Sequence, residues 1–196
     1  RTSTPKGVPM LSRIGRRKKS IPVWMARRGD DLAAHYAIRH RVFVNEQGVL
    51  VLTDVDENDN LPGVVHALAA HGQYCAGTVR LYPLDATGRW KGDRLAVLSN
   101  HRTTVIGAQL VRFATATALA RGGTVMEASV QRANVKFFQR LGWTCDGDLK
   151  LFFGQPHQPM LFDLTAAPPL EWPSRPKTLI SNFLTSTMST ALCPAA

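Results

Sequence analysis

The sequence predicts a mixed α/β sandwich around one sheet, on three observations. Segments of period-two and period-3.6 apolar spacing alternate between residues 21 and 164. The 196 residues are 44% hydrophobic, enough for the core of one ordinary domain with a little chain to spare. The longest apolar stretch, near Gly63 to Ala70, is broken by His66 and falls far short of the roughly 20 residues a bilayer span needs.

Taken in order, residues 21–28 read as a strand. Asp30 or Asp31 then caps a helix running to about residue 45, with Leu32, Ala33, His35, Tyr36, Ile38, Arg39, Val42 and Phe43 in its periodic set. Residues 64–71 and 75–82 form two strands around the turn His71-Gly72-Gln73. A short strand at 94–98 enters a loop at 99–105 and then a helix over 106–120. Ile106, Leu110, Phe113, Ala114 and Thr117 share one face of that helix, and Gly122-Gly123 ends it. Residues 124–130 make a β-branched strand and 134–141 a short helix stopped by Gly142. Strands at 149–154 and 160–164 close the sheet.

The two ends read differently. The formal charge is +10, but nine of the 24 Lys and Arg lie in residues 1–28, which hold no acid; the remainder sets 15 bases against 14 acids. Residues 1–20 are therefore a basic arm, open to three readings: a solvated tail, a polyanion-binding arm, or a targeting presequence for which no amphipathic helix is visible. A near-neutral domain without an aromatic-studded basic sheet argues against nucleic-acid recognition. Residues 166–196 carry five of the 12 prolines in a Ser/Thr-rich extension that wraps the domain 21–165 or links it to something else. Cys75, Cys145 and Cys193 are widely spaced and form no C-x-x-C pair, which points to a reducing, cytoplasmic setting and no zinc site. The histidines lack the spacing of a metal site, and the acid-rich loop lacks the glycine of a calcium loop.

The stretch that carries chemistry is the strand, loop and helix from Arg94 to Arg121. Its loop reads His101-Arg102-Thr103-Thr104-Val105-Ile106-Gly107-Ala108. A helix N-terminus leaves backbone N–H groups unpaired and partly positive, so a diphosphate can sit there; Gly107 allows close approach and Arg102 adds a full charge. It is neither a P-loop nor a three-glycine dinucleotide motif.

This loop resembles the coenzyme A diphosphate loop of the GNAT superfamily of N-acetyltransferases, Arg/Gln-x-x-Gly-x-Gly/Ala after a splayed strand. Arg102 and Gly107 match its first and last positions, and Val105 replaces the middle glycine. The resemblance covers about residues 21–164. It implies a mostly antiparallel sheet of six or seven strands flanked by helices, and acetyl-CoA as co-substrate with no metal. Leu95, Ala96 and Val97 then pair with the pantetheine arm; Arg102, Thr103, Thr104, Val105, Ile106, Gly107 and Ala108 hold the diphosphate; Gln131 and Phe138 line the same site. The motifs from Arg39 to Gly48, from Gly77 to Leu81, from Asn134 to Trp143 and from Pro156 to Met160 are similar to the nitrogen-starvation-associated branch, some of whose members carry an AIR-synthase-like domain next. Carried over from that resemblance, Arg41, Phe43, Glu46 and Arg80 join the acceptor side. A homodimer is compatible with such a domain.

Acyl transfer to an amine needs a base, an oxyanion site and a proton for the departing thiolate. Period-two alternation puts Val125, Glu127 and Ser129 on one strand face, so Glu127 is a candidate base beside an ordinary ion-pair role. The oxyanion site is expected at the backbone N–H groups near Val97 and Leu98. Relatives use a tyrosine four residues before the last helix's Gly as acid; here that position is Phe138, which leaves Ser129, Tyr82, water or unassisted release of a thiolate. Asp54, Asp56, Glu57 and Asp59 would attract a cationic small amine, or form a solvated loop. Two other readings stand beside the acetyltransferase. The Arg39-x-Arg41, Asp54-x-Asp56 and Val79-Arg80-Leu81 motifs also resemble acyl-homoserine lactone and long-chain N-acyl amino acid synthases, which use acyl carrier protein. Phe138 and Val105 suit a non-catalytic acyl-CoA sensor.

Overall fold

The computed structural model describes residues 21–27, 29–102, 104–167, 169 and 175–179. The basic arm and most of the C-terminal extension lie outside the described residues. The elements run β1 (Val23–Met25), α1 (Gly29–His40), β2 (Val65–His71), β3 (Tyr74–Pro83), β4 (Arg89–Val97), α2 (Ile106–Ala120), β5 (Val125–Gln131), α3 (Val135–Gln139), β6 (Thr144–Cys145), β7 (Lys150–Phe152) and β8 (Gln155–Asp163). Asp30 and Asp31 lie inside the first turn of α1 rather than capping it, where their charge suits the helix's positive end. The chain leaves α1 through a wide π-helical turn, Arg41–Glu46, so the long helix expected to residue 45 changes pitch at Arg41.

One eight-stranded sheet runs in the order β1-β2-β3-β4-β5-β8-β6, with β7 also paired to β8. Among the described residues every strand pairing is antiparallel except β4 with β5. The excess over six or seven strands comes from β6 and β7, of two and three residues. The strand expected at 94–98 is the end of a nine-residue one, Arg89–Val97. Its charged residues, Arg89, Lys91, Asp93 and Arg94, hide the strand from an apolar pattern; ion pairs satisfy all four.

Two apolar layers sandwich the sheet. The larger packs α2 and α3 through Ile106, Leu110, Phe113, Ala114 and Phe138 onto Val79, Leu81, Met126 and Met160. The smaller packs α1 through Ile38 and Val42 onto Trp24, Leu68, Ala96 and Leu98. Burying side chains of this size contributes about 1.5–3 kcal/mol each. Gly77 sets the distance between α2 and the sheet: a Cβ there would come within 3.0 Å of the Ala96 carbonyl, Ile106 and Leu110. Within the extension, Arg175 binds Asp30 and Asp31 at 3.0 Å each, and Leu179 packs on the α1 layer.

Candidate active site

Strand β4 stays with β3 along its length, whereas β5 follows β8 from Val125 to Gln131. The two therefore pair only through Arg89, Lys91 and the residue between, against Val125 to Glu127, and part beyond them. A bulge lies where they part. Thr78 faces Ala96 and Arg80 faces Asp93, so Arg94 and Leu95 together oppose Val79. Arg94 takes a left-handed φ of 50°, a conformation that costs a side-chain-bearing residue about 1–3 kcal/mol. Its guanidinium offsets that cost by donating to Asp56 at 2.8 Å and to the Asp54 carbonyl at 3.2 Å.

A cavity of about 330 Å³ occupies the gap. Phe43, Gln47, Val49 and Leu50, from the turn after α1 and the loop beyond it, line it, as do Phe152, Phe153 and His157 from the β7–β8 hairpin. The strands give it Gly92, Asp93, Arg94 and Leu95 on one wall and Ala128, Ser129, Val130 and Gln131 on the other. Beneath the sheet, Val79, Val111, Ala114, Met126, Phe138 and Trp143 form an apolar floor. Of the expected site residues, Leu95, Gln131, Phe138, Ser129 and Phe43 thus converge.

The loop expected to hold the diphosphate lies between β4 and α2. No side chain caps α2 at Val105, which is well exposed, and Ile106 N–H donates to Thr104 Oγ1 at a long 3.3 Å. A Cβ at Gly107 would meet nothing closer than 3.5 Å, so the backbone there is approachable. These donors fit a diphosphate, since a helix start carries partial positive charge. Ala108 follows in the same turn; Thr103 lies outside the described residues. Arg102 is turned back: its Nε donates to the Val97 carbonyl at 3.0 Å and its Nη2 to Glu46. Glu46 also faces Arg41 at 3.5 Å. Two of the residues expected on the acceptor side, Arg41 and Glu46, thus form a bridge to the loop at Arg102. The oxyanion donor expected near Leu98 is spent, because Leu98 N–H donates to the Ala76 carbonyl at 3.0 Å. Ala96 is buried in the α1 layer and faces Thr78.

The acid-rich loop does something other than attract an amine. Arg39 and Arg80 are fully buried, and buried guanidinium groups need carboxylates. Arg39 holds Asp54 and Asp59; Arg80 holds Asp56, Asp59 at 2.8 Å and Asp93 at 2.7 Å; Arg94 adds Asp56. Burial would raise the carboxyls of Asp56 and Asp59, but hydrogen bonds from Arg80 and Arg39 respectively outweigh it and hold both below the usual carboxylate range. Behind them His35 bonds Thr78, and His66 Nδ1 lies 3.1 Å from His35 Nε2. Burial, helped by Arg39, pushes His35 down to about 3. Arg80, Asp54 and Asp56 are thus structural charges, and Glu57 alone of that loop's four acids stands free on the surface.

Glu127 lies on the expected face but not on the cavity wall. It accepts from Arg89 Nη2 at 2.8 Å and Lys91 Nζ at 3.2 Å. Burial raises its carboxyl, yet the Lys91 charge and both hydrogen bonds outweigh that and hold it ionised. Phe138 packs edge-on against Phe137 and Trp143 at 5.4 and 5.3 Å between centroids. Tyr82 is buried over Arg80, and burial pushes its hydroxyl up to about 12. Sequence reasoning missed Trp143 as a wall residue; its place directly after the Gly142 stop was the available signal.

Residues 30–143 match the Acetyltransferase (GNAT) family. A candidate acetyltransferase of Bacillus subtilis strain 168 is 30% identical over 128 residues, covering 65% of this chain and 86% of that protein. Among solved structures, an acyl-CoA N-acyltransferase from Pseudomonas aeruginosa aligns at 24% identity and a TM-score of 0.64, over 72% of this chain and 99% of the other. The CoA-dependent acyl-homoserine lactone synthase BjaI, with SAM and isopentyl-CoA, aligns at 20% identity and a TM-score of 0.59, over 74% and 82%. Among the described residues no three His, Cys, Asp or Glu group to hold a metal, and no helix is long and apolar enough to cross a membrane.

Proposed function

The chain belongs to the GNAT family of acetyltransferases, and from that premise we propose that it is a cytoplasmic N-acyltransferase carrying an acyl group, acetyl in the simplest case, from acyl-CoA to a small amine by direct attack. The observation that carries this reading is the cavity where β4 and β5 part, walled by Leu95, Ser129, Gln131 and Phe138. Acyl-CoA supplies an activated thioester; the protein supplies everything else.

The start of α2, with Gly107 and Ala108, receives the diphosphate, and Arg102 turns toward it as it gives up Glu46. At the bulge, Arg94 and Leu95 share one cross-strand partner, so a backbone N–H is released from the ladder and faces the developing oxyanion; such a donor contributes about 2.7–4 kcal/mol. Ser129 is the β5 hydroxyl on the cavity wall. It relays a proton between the attacking amine and solvent while Glu127 remains paired with Arg89 and Lys91. The C–N bond forms as the C–S bond breaks, and the thiolate leaves without a side-chain acid at Phe138, which a thiol pKa near 8.5 permits. Membership of the nitrogen-starvation-associated branch rests on the motifs alone.

A second reading is favoured by the apolar floor, which exceeds what an acetyl methyl fills: a longer acyl group, delivered by coenzyme A or by acyl carrier protein. A thermal-shift and product screen with acetyl-CoA, longer acyl-CoAs and acyl carrier protein against a panel of amines separates these. Stabilisation without any product in every arm would make the protein a sensor rather than an enzyme.

A further inference from the structure

Beside the cavity lies a second, open groove that no step above uses. Gln47, Gln131, Arg132 and Gln155 give it a polar lining, and it shares Gln47, Val49 and Gln131 with the cavity. The two spaces meet at a side-chain bridge, where Gln131 Nε2 donates to Gln47 Oε1 at 3.2 Å. Strand β5 runs from one to the other. Ser129 lines the cavity, Gln131 stands two residues on, about 7 Å along the strand, and Arg132 follows directly.

The charges of these linings are one-sided. Lys91, Arg94 and Arg132 are cations, and Asp93 is the one carboxylate among the described residues of either lining. Asp93 is already spent, accepting from Arg80 Nε at 2.8 Å and from Arg80 Nη2 at 2.7 Å. Lys91 and Arg94 are likewise held, by Glu127 at 3.2 Å and Asp56 at 2.8 Å. Arg132 differs from both: it is exposed, and its guanidinium makes no hydrogen bond or ion pair among the described residues. An acceptor with a second cationic group, such as a diamine, finds no unpaired carboxylate in either space. One with an anionic group finds a guanidinium that can take a carboxylate in two parallel hydrogen bonds, with the Gln155 amide beside it.

We propose that the acceptor amine also carries a carboxylate, as a free amino acid does, and that Arg132 binds that carboxylate in the groove while the amine reaches past the Gln47–Gln131 bridge to the thioester beside Ser129. This rests on the acyl-CoA reading above and names the acceptor class. Arg132 selects the acceptor and takes no part in making or breaking bonds.

The test measures kcat and KM with acetyl-CoA and longer acyl-CoAs for a panel of amino acids, their primary amides and the corresponding decarboxylated amines. The wild type is expected to acylate at least one amino acid, and the ratio of kcat/KM for that acid to kcat/KM for its amide should fall about tenfold in Arg132→Ala, through KM. Comparing ratios between proteins cancels the different basicities of the two amines. Arg132→Glu should lower the ratio further and Arg132→Lys should keep part of it. Arg140→Ala removes an exposed arginine that lines neither space and should keep the wild-type ratio. A ratio unmoved by Arg132→Ala, or lowered as much by Arg140→Ala, overturns the assignment. Turnover of amides or decarboxylated amines alone overturns it and leaves the transferase reading standing. Product with no amine, while acyl-CoA still binds, overturns it in favour of the sensor. Failure of every acyl-CoA to bind removes both readings.

Discussion

The two sides of the sheet solve opposite problems. On the α1 side, Arg39, Arg80 and Arg94 are packed with Asp54, Asp56, Asp59 and Asp93 into a cluster in which nearly every lone pair is used; Asp54 Oδ1 is the buried exception. On the α2 side, the cavity floor is apolar, made by Val79, Val111, Ala114, Met126 and Phe138. Charge density in the sequence invites a functional reading of the first region, yet its charges neutralise one another. Chemistry needs space, and that lies in the second.

The sharpest way to break that contrast is Arg80→Leu. If the cluster is structural, Asp56, Asp59 and Asp93 lose a shared counter-charge and stability should fall by about 3–5 kcal/mol, read from urea denaturation. A variant of unchanged stability but impaired amine KM would return the cluster to substrate binding.

Acid titration probes the same region more gently. Unfolded His35 titrates near 6.5 and the folded residue near 3, so between those values the unfolded chain binds the extra proton. Stability is then complete above pH 6.5 and declines as pH falls toward 3, by up to about 1.4 kcal/mol per unit for this one group. His66, lowered by its own burial, adds in the same direction. Urea midpoints that stay level between pH 7 and 5 would mean that His35 is protonated in the fold.

On the cavity side, Arg102→Ala should weaken coenzyme A binding by about 1–3 kcal/mol. Glu46→Gln should strengthen it by a few fold, since Glu46 holds Arg102 in the free protein. Calorimetric titration of both variants decides whether the bridge is a latch; matching affinities would leave Arg102 as a fold residue that tethers Val97. The smallest effect is expected at Glu127→Gln. Its side chain is 27% exposed in pairs with Arg89 and Lys91, so stability should change by less than about 1 kcal/mol and the pH–rate profile should keep its shape. A flattened profile would restore Glu127 as the base.

The architecture was legible because apolar spacing reports burial directly. The helix over 106–120 and the hairpin strands around Gly72 needed nothing else, and Gly122 ended α2 as expected. The strand Arg89–Val97 was half lost because its charges are satisfied by partners up to 40 residues away, a tertiary fact that local pattern does not carry. The turn before α2 was legible as an uncapped helix start that a ligand can approach at Gly107; the pairing of Arg102 with Glu46 was not. The role of Asp54, Asp56 and Arg80 was not, since a carboxylate's partner cannot be told from its neighbours in sequence. Trp143 was missed as a wall residue for the opposite reason: an aromatic beside a core helix looks like core.

Arg94 joins the two halves. Its unfavourable backbone is kept in place by aspartates belonging to the ionic cluster, and that same backbone forms the kink from which the gap opens. Turnover should therefore be sensitive to replacements at Asp56, which does not itself line the cavity: once the restraint slackens, the peptide relaxes into an ordinary ladder, and a folded, coenzyme-binding protein is left with a blunted reaction centre.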